Sequence, residues 1–166
     1  MKTKGLAMRK ARLGDVAEIA ALVNGYADDG KMLHRTLDQV ALSLDDYVVA
    51  VDARGRILAC GALREYSPSV AEVSSIAVAR AAQGRGLGSH IVHAVEALAR
   101  RRGYRDVFLI TVCPEFFETL GYVVVERALY PEKVCGHAVS LAACEECTKL
   151  CMWRDLAAGA EAREAA

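Results

Sequence analysis

The sequence predicts a single α/β domain, and three observations carry that expectation. Short β-branched or apolar stretches repeatedly give way to stretches whose apolar residues recur at three- and four-residue spacing. One such change is bridged by Gln83-Gly84-Arg85-Gly86-Leu87-Gly88, a glycine-rich loop leading from a strand into a helix. The chain has 166 residues, enough for one domain of a size that buries roughly 70% of its unfolded surface.

Taken in order, residues 8–12 read as a first strand. Asp15 and Glu18 have the spacing of a capping box ahead of Ile19, Leu22, Val23 and Tyr26, which share one helical face. Thr36 and Gln39 repeat that logic before Leu37, Val40, Ala41 and Leu44, giving a second, short helix. Residues 47–51 and 57–65 are strands joined by a hairpin turn at 52–56, and Ser67-Pro68-Ser69 turns the chain into a strand at 71–78. After the glycine loop, Leu87, Ile91, Val95 and Leu98 define a helix that stops at Arg102-Gly103. Residues 106–112 form a strand, 114–120 a helix opened by proline, and 122–125 another strand. Residues 131–149 are longer than an ordinary connection and carry three cysteines, with a fourth just beyond at Cys151. The domain is expected to span 1–156, with an Ala-rich tail at 157–166 that has little to bury and frays.

Charge excludes some partners. The 21 basic and 21 acidic residues balance, so neither nucleic acid nor an anionic membrane has a general electrostatic footprint to meet. Arg100-Arg101-Arg102 reads as a solvated helix C-terminus complementing the dipole. No apolar run approaches a membrane span and no signal-peptide segment opens the chain, so a cytoplasmic protein is expected. Six cysteines in such a chain argue against a disulfide framework. Homodimer formation is left open.

The glycine run suits an anion. Glycines let the chain turn sharply and bring amide N–H groups close to a phosphate, while the helix that follows adds unpaired N–H groups and the positive end of its dipole. On spacing alone the run also reads as an ordinary turn. A dinucleotide G-x-G-x-x-G pattern fits poorly, since Gly84, Gly86 and Gly88 are spaced by two, and a P-loop Gly-Lys-Ser/Thr is missing.

Gln83, Gly86 and Gly88 do resemble, at every defined position, the Gln/Arg-x-x-Gly-x-Gly/Ala acetyl-CoA loop of the GNAT N-acetyltransferase superfamily. Residues 114–122 (PEFFETLGY) look like the family's aromatic-x-x-x-Gly-aromatic segment, and 150–156 resembles its closing strand. Within the superfamily the chain is most similar to the short, single-domain N-acetylglutamate synthases, through 30–36 (GKMLHRT), 60–63 (CGAL), 71–73 (AEV), 108–111 (FLIT), 114–121 and 131–134 (PEKV). The resemblance implies a central, mostly antiparallel sheet flanked by helices, with a splayed strand pair for the cofactor. It implies that acetyl-CoA is held by Gln83, Gly84, Arg85, Gly86, Leu87, Gly88 and Phe117, and that the thioester faces backbone around Ile76, Ala77 and Val78. It further implies acetylation of the amino group of L-glutamate, the first step of arginine synthesis, by direct attack in a ternary complex. A different small amine, a protein N-terminus, or a non-catalytic acetyl-CoA-responsive module are the alternatives.

The residue chemistry can be laid beside that reading. Acetyl transfer to an amine needs a base for the ammonium and donors for the oxyanion. Glu72, in the Ala-Glu-hydrophobic segment, is the candidate base, against an exposed or ion-paired strand carboxylate. Phe116 and Phe117 stand in the aromatic segment where many superfamily members carry an acidic tyrosine, and Tyr122 reads as core. Thr111 and Cys113 occupy the neighbourhood where the synthases have a small polar residue. A thiol with a pKa near the roughly 8.5 of cysteine leaves without a strong acid. Arg35 presents a planar fork suited to a carboxylate and Lys133 a second cation, although a lone arginine before a helix is more often surface. Cys144, Cys147 and Cys151, with Cys135 and His137, have enough soft ligands for a structural zinc, against free or packed thiols. His34, His90 and His93 lack ligand spacing.

Overall fold

The computed structural model describes residues 5–130 and 148–157. Its elements are β1 (Ala7–Lys10), α1 (Val16–Asp28), α2 (Leu37–Leu42), β2 (Tyr47–Val51), β3 (Ile57–Glu65), β4 (Val70–Val78), α3 (Leu87–Arg101), β5 (Asp106–Thr111), α4 (Pro114–Glu118), β6 (Val123–Val125) and β7 (Leu150–Asp155). Together the strands form one mixed sheet in the order β1-β2-β3-β4-β5-β7-β6. Every neighbouring pair is antiparallel except β4 and β5.

Alternation along the strands builds two cores. Val48, Ala50, Leu63, Val73 and Leu109 face α3, whose Ile91, Val92, Val95 and Leu98 cover them. Tyr47, Val49, Cys60, Ala62 and Ala77 face the other way and meet Ile19, Ala20 and Val23 of α1 and Val40 of α2. All five residues of β2 are buried, as a central strand covered on both faces requires.

The Thr36/Gln39 capping box forms as its spacing predicts, with Gln39 N–H donating to Thr36 Oγ1 at 3.1 Å and Thr36 N–H to Gln39 Oε1 at 3.0 Å. The Asp15/Glu18 pair does not cap α1. A short 3-10 turn precedes that helix, and the Asp15 carboxylate is taken by Arg9 at 2.6 and 3.0 Å and by the Arg12 N–H at 2.7 Å. Glu18 reaches across to accept the Ile57 N–H at 3.0 Å, tying α1 to β3. Tyr122 is core, donating its hydroxyl to the buried Glu96 at 2.9 Å, and Arg154 of β7 completes that group at 2.9 Å.

Two irregularities position the site. Pairing between β4 and β5 covers only Val70↔Asp106, Ala71↔Val107 and Glu72↔Phe108, although β4 continues to Val78 and β5 to Thr111. Two parallel strands that part company leave a cleft between their C-terminal halves. On its other edge β4 carries one extra residue against β3, between Ser74 and Ala77. Ser75 absorbs it at φ 53, the only non-glycine with positive φ among the described residues. Gly61 lies opposite this bulge, where a Cβ would meet Ile91 Cγ2 at 2.6 Å and Ile76 Cδ1 at 2.7 Å.

Candidate acyl-transfer site

The opening between β4 and β5 is the mouth of a cavity of about 630 Å³. One end is walled by Ile76, Val78, Gln83, Gly84, Gly86, Leu87 and Gly88, and the other by Arg35, Glu72, Ser74, Thr111 and Cys113. Phe116 and Phe117 of α4 close the side, and Tyr26, Lys31, Met32 and Leu33 overhang from the end of α1 and the loop after it.

The glycine loop takes its shape from left-handed backbone. Gly84 and Gly86 both have φ +74, a conformation that costs an L-residue roughly 1–2 kcal/mol. Gly86 sits at the N-cap of α3 without a side-chain cap, leaving the first-turn amides open toward the cavity. Gly88 is glycine for another reason: a Cβ there would stand 3.1 Å from Phe116 Cζ. Gln83 is anchored through a relay, its Nε2 donating to Tyr26 Oη at 2.7 Å and the Tyr26 hydroxyl donating to the Val78 carbonyl at 2.6 Å. This relay fixes the loop to both α1 and β4.

At the other end, Glu72 is largely buried. Asn24 clamps the Arg35 backbone in both directions, accepting its N–H at 2.8 Å and donating to its carbonyl at 2.9 Å, so the guanidinium projects from a fixed root. Burial pulls the Arg35 pKa below its ordinary value, the positive charge of Arg64 adds to that, and Tyr47 and Glu72 oppose it. Thr111 Oγ1 accepts the Cys113 N–H at 2.9 Å and shapes the end of β5, while the Cys113 thiol is exposed. Cys60, by contrast, is sealed beneath the sheet and burial pushes its thiol up to about 12.

Most residues expected from the sequence meet here. Arg35, Glu72, Ile76, Val78, Gln83, Gly84, Gly86, Leu87, Gly88, Thr111, Cys113 and Phe117 all line the one cavity. Ala77 does not, because the bulge turns its side chain into the α1 core, and Arg85 is exposed outside the lining. Lys133, Cys135, His137, Cys144 and Cys147 lie outside the described residues. Cys151 is buried in β7 against Phe108 and Tyr130, and burial pushes its thiol up to about 11, so it has the setting of a packed thiol. Among the described residues no three His, Cys, Asp or Glu side chains gather as a metal set, and none of the described helices is long and apolar enough to cross a membrane. Sequence reasoning missed Ser74, Ser75, Phe116, Lys31 and Lys149 as lining residues. The Ser74-Ser75 pair within a β-branched strand was the one local signal of the bulge.

A sheet that opens along a parallel pair beside a glycine-rich helix start defines the class, and comparison with known proteins names it. The family described as Acetyltransferase (GNAT) family matches residues 15–122. The chain belongs to the GNAT acetyltransferase family, and by class it is an N-acetyltransferase. It is 32% identical over 142 residues to an uncharacterized N-acetyltransferase of Chlorobaculum tepidum, covering 84% of this chain and 91% of that one. It is 34% identical over 122 residues to an amino-acid acetyltransferase of Mycobacterium tuberculosis, covering 72% and 69%. Among solved structures, an M. tuberculosis protein crystallised with CoA superposes with a TM-score of 0.77 at 26% identity, over 90% of this chain and 98% of that one. The N-acetylglutamate synthase of Neisseria gonorrhoeae, complexed with coenzyme A and N-acetyl-glutamate, gives a TM-score of 0.78 at 21% identity. That likeness covers 91% of this chain but 35% of the longer enzyme and speaks to the fold.

Proposed function

We propose that this protein transfers the acetyl group of acetyl-CoA to the α-amino group of L-glutamate, the opening step of arginine synthesis. The observation that carries the reading is that an anion-receptive glycine loop, a largely buried carboxylate and a rooted guanidinium, Arg35, share one cavity. The amino-acid acetyltransferase relative and the neighbours that hold CoA support it.

In this reading the pyrophosphate lies on the amides of the α3 first turn, and the pantetheine arm runs along the edge of β4 that β5 leaves unpaired. Glu72, directly or through water, takes the proton of the substrate ammonium. The neutral nitrogen attacks the thioester carbonyl, a tetrahedral oxyanion forms near the backbone of Ile76–Val78, and the C–S bond breaks as the proton left on nitrogen passes to the departing CoA sulfur. Arg35 and Lys133 each hold one carboxylate of glutamate.

An assay of CoA release across a panel of amines tests this. Glutamate is expected to be the best acceptor and glutamine poorer, because one carboxylate is gone. Preference for a cationic amine or a peptide N-terminus would overturn the glutamate reading and leave the acetyltransferase class standing.

A further inference from the structure

Three buried side-chain polar atoms lack a hydrogen-bond partner among the described residues: Arg35 Nε, Arg64 Nε and Ser74 Oγ. An orphaned buried donor costs roughly 1–3 kcal/mol, so such atoms are scattered and rare in a folded chain. Here Arg64 and Ser74 belong to one face of the sheet, and Arg35 comes from the loop before α2. Arg64 is the cross-strand partner of Glu72 in the β3–β4 ladder, so the two side chains leave the same face side by side. Ser74 follows Glu72 by two residues on that face and lines the cavity, as does Arg35. Arg64 therefore stands next to Glu72, which shares the cavity wall with Arg35, and its positive charge is felt at Arg35.

Among the described residues neither Arg35 Nε nor Arg64 Nε has a partner, and the like charges of the two half-buried guanidiniums are offset by Glu72 only in part. An anion placed between them reverses the sign of the interaction, and guanidinium forks match a carboxylate in shape as well as charge. We infer that Arg64 is a specificity-determining residue that joins Arg35 in holding a carboxylate of the acceptor, so that the enzyme selects amines bearing an acid group. The inference rests on the acetyl-transfer reading above and adds a residue from β3 to the acceptor end.

Arg64→Gln and Arg64→Met test it, the second keeping the apolar stem that packs along the sheet. Each is expected to raise KM for glutamate by about ten- to a hundredfold, the loss of one charge-assisted contact, with the change carried in KM rather than kcat. KM for acetyl-CoA stays at the wild-type value, and Arg64→Lys recovers part of the loss. The rise in Tm that N-acetylglutamate gives wild type in the presence of CoA is reduced in both variants. An unchanged KM for glutamate in either folded variant overturns the inference, as does a wild-type rise in Tm with N-acetylglutamate and CoA in both, which would make Arg64 structural. The parent reading is judged on wild type alone: no acetyl transfer to any amino acid overturns it before a variant is made.

Discussion

Gly61→Ala tests whether the β4 bulge, the core and the donor end of the cavity are one mechanical unit. The added Cβ would lie 2.6 Å from Ile91 Cγ2, 2.7 Å from Ile76 Cδ1 and 3.0 Å from Val95 Cγ2, against an ordinary contact range of 3.4–4 Å. Ile91 and Val95 are fully buried on α3, and β-branched residues in a helix have essentially one χ1 rotamer, so neither swings aside. Ile76 has a free end, and the space open to it is the cavity it lines. Overpacking of this kind costs about 1–3 kcal/mol, which for a domain of this size lowers Tm by roughly 2–12 °C. Acetyl-CoA should bind more weakly, since the wall beside the β4 edge has moved inward, while the KM for glutamate changes little. Scanning calorimetry and titration calorimetry with acetyl-CoA read the two effects. Wild-type Tm together with wild-type acetyl-CoA affinity would refute the coupling.

Three further outcomes are expected. Gly86→Asp puts a carboxylate and a side chain on left-handed backbone where the pyrophosphate is proposed to sit, and should abolish acetyl-CoA binding by calorimetry with the circular dichroism of the fold retained. Glu72→Gln should lower turnover on the order of a hundredfold, with the deficit narrowing as pH rises and more of the amine is already neutral; a superimposable pH–rate profile would make Glu72 structural. The hydrogen bonds from Arg9, then that from Arg12, hold the Asp15 carboxyl below its ordinary range despite burial. A depressed folded pKa gives stability that is present above the unfolded value of about 3.9 and is lost as pH falls through the folded one. Asp15→Asn should therefore melt lower than wild type at neutral pH and converge on it in acid, and parallel melting curves across that range would refute the linkage.

The alternation of strands and helices was legible because each element declares itself locally. Thr36 and Gln39 need only a spacing of three positions to make their capping box, and the α3 stripe of Leu87, Ile91, Val95 and Leu98 follows from the helical period. Asp15 failed the same reasoning because its carboxylate is claimed by Arg9 from the neighbouring strand, a tertiary partner that spacing does not reveal. Glu96 was invisible for a related reason. A glutamate one position from Val95 reads as solvent-facing, yet it lies buried with Tyr122 and Arg154, residues 26 and 58 positions away. In the site, the glycine loop could be read because left-handed turns demand glycine. Arg64 could not, because its place beside Glu72 depends on the register of two strands.

The costs in this fold are not spread evenly. Ser75 with positive φ, the ladder that ends at Glu72, and the orphaned donors of Arg35, Arg64 and Ser74 all fall around a single strand. Elsewhere charged groups that are buried are paired, as Glu96 and Asp15 show. Natural sequences tolerate such local conflicts where a function requires them and resolve them elsewhere. Here the conflicts have one common remedy. A ligand with a flat amide-bearing arm would satisfy the unpaired edge of β4, and an acid group on a second ligand would satisfy the guanidiniums beside Glu72, as the proposed reaction requires. The strand that would read the donor on its edge and the acceptor on its face is the same one, which would bring the acetyl group and the amine together.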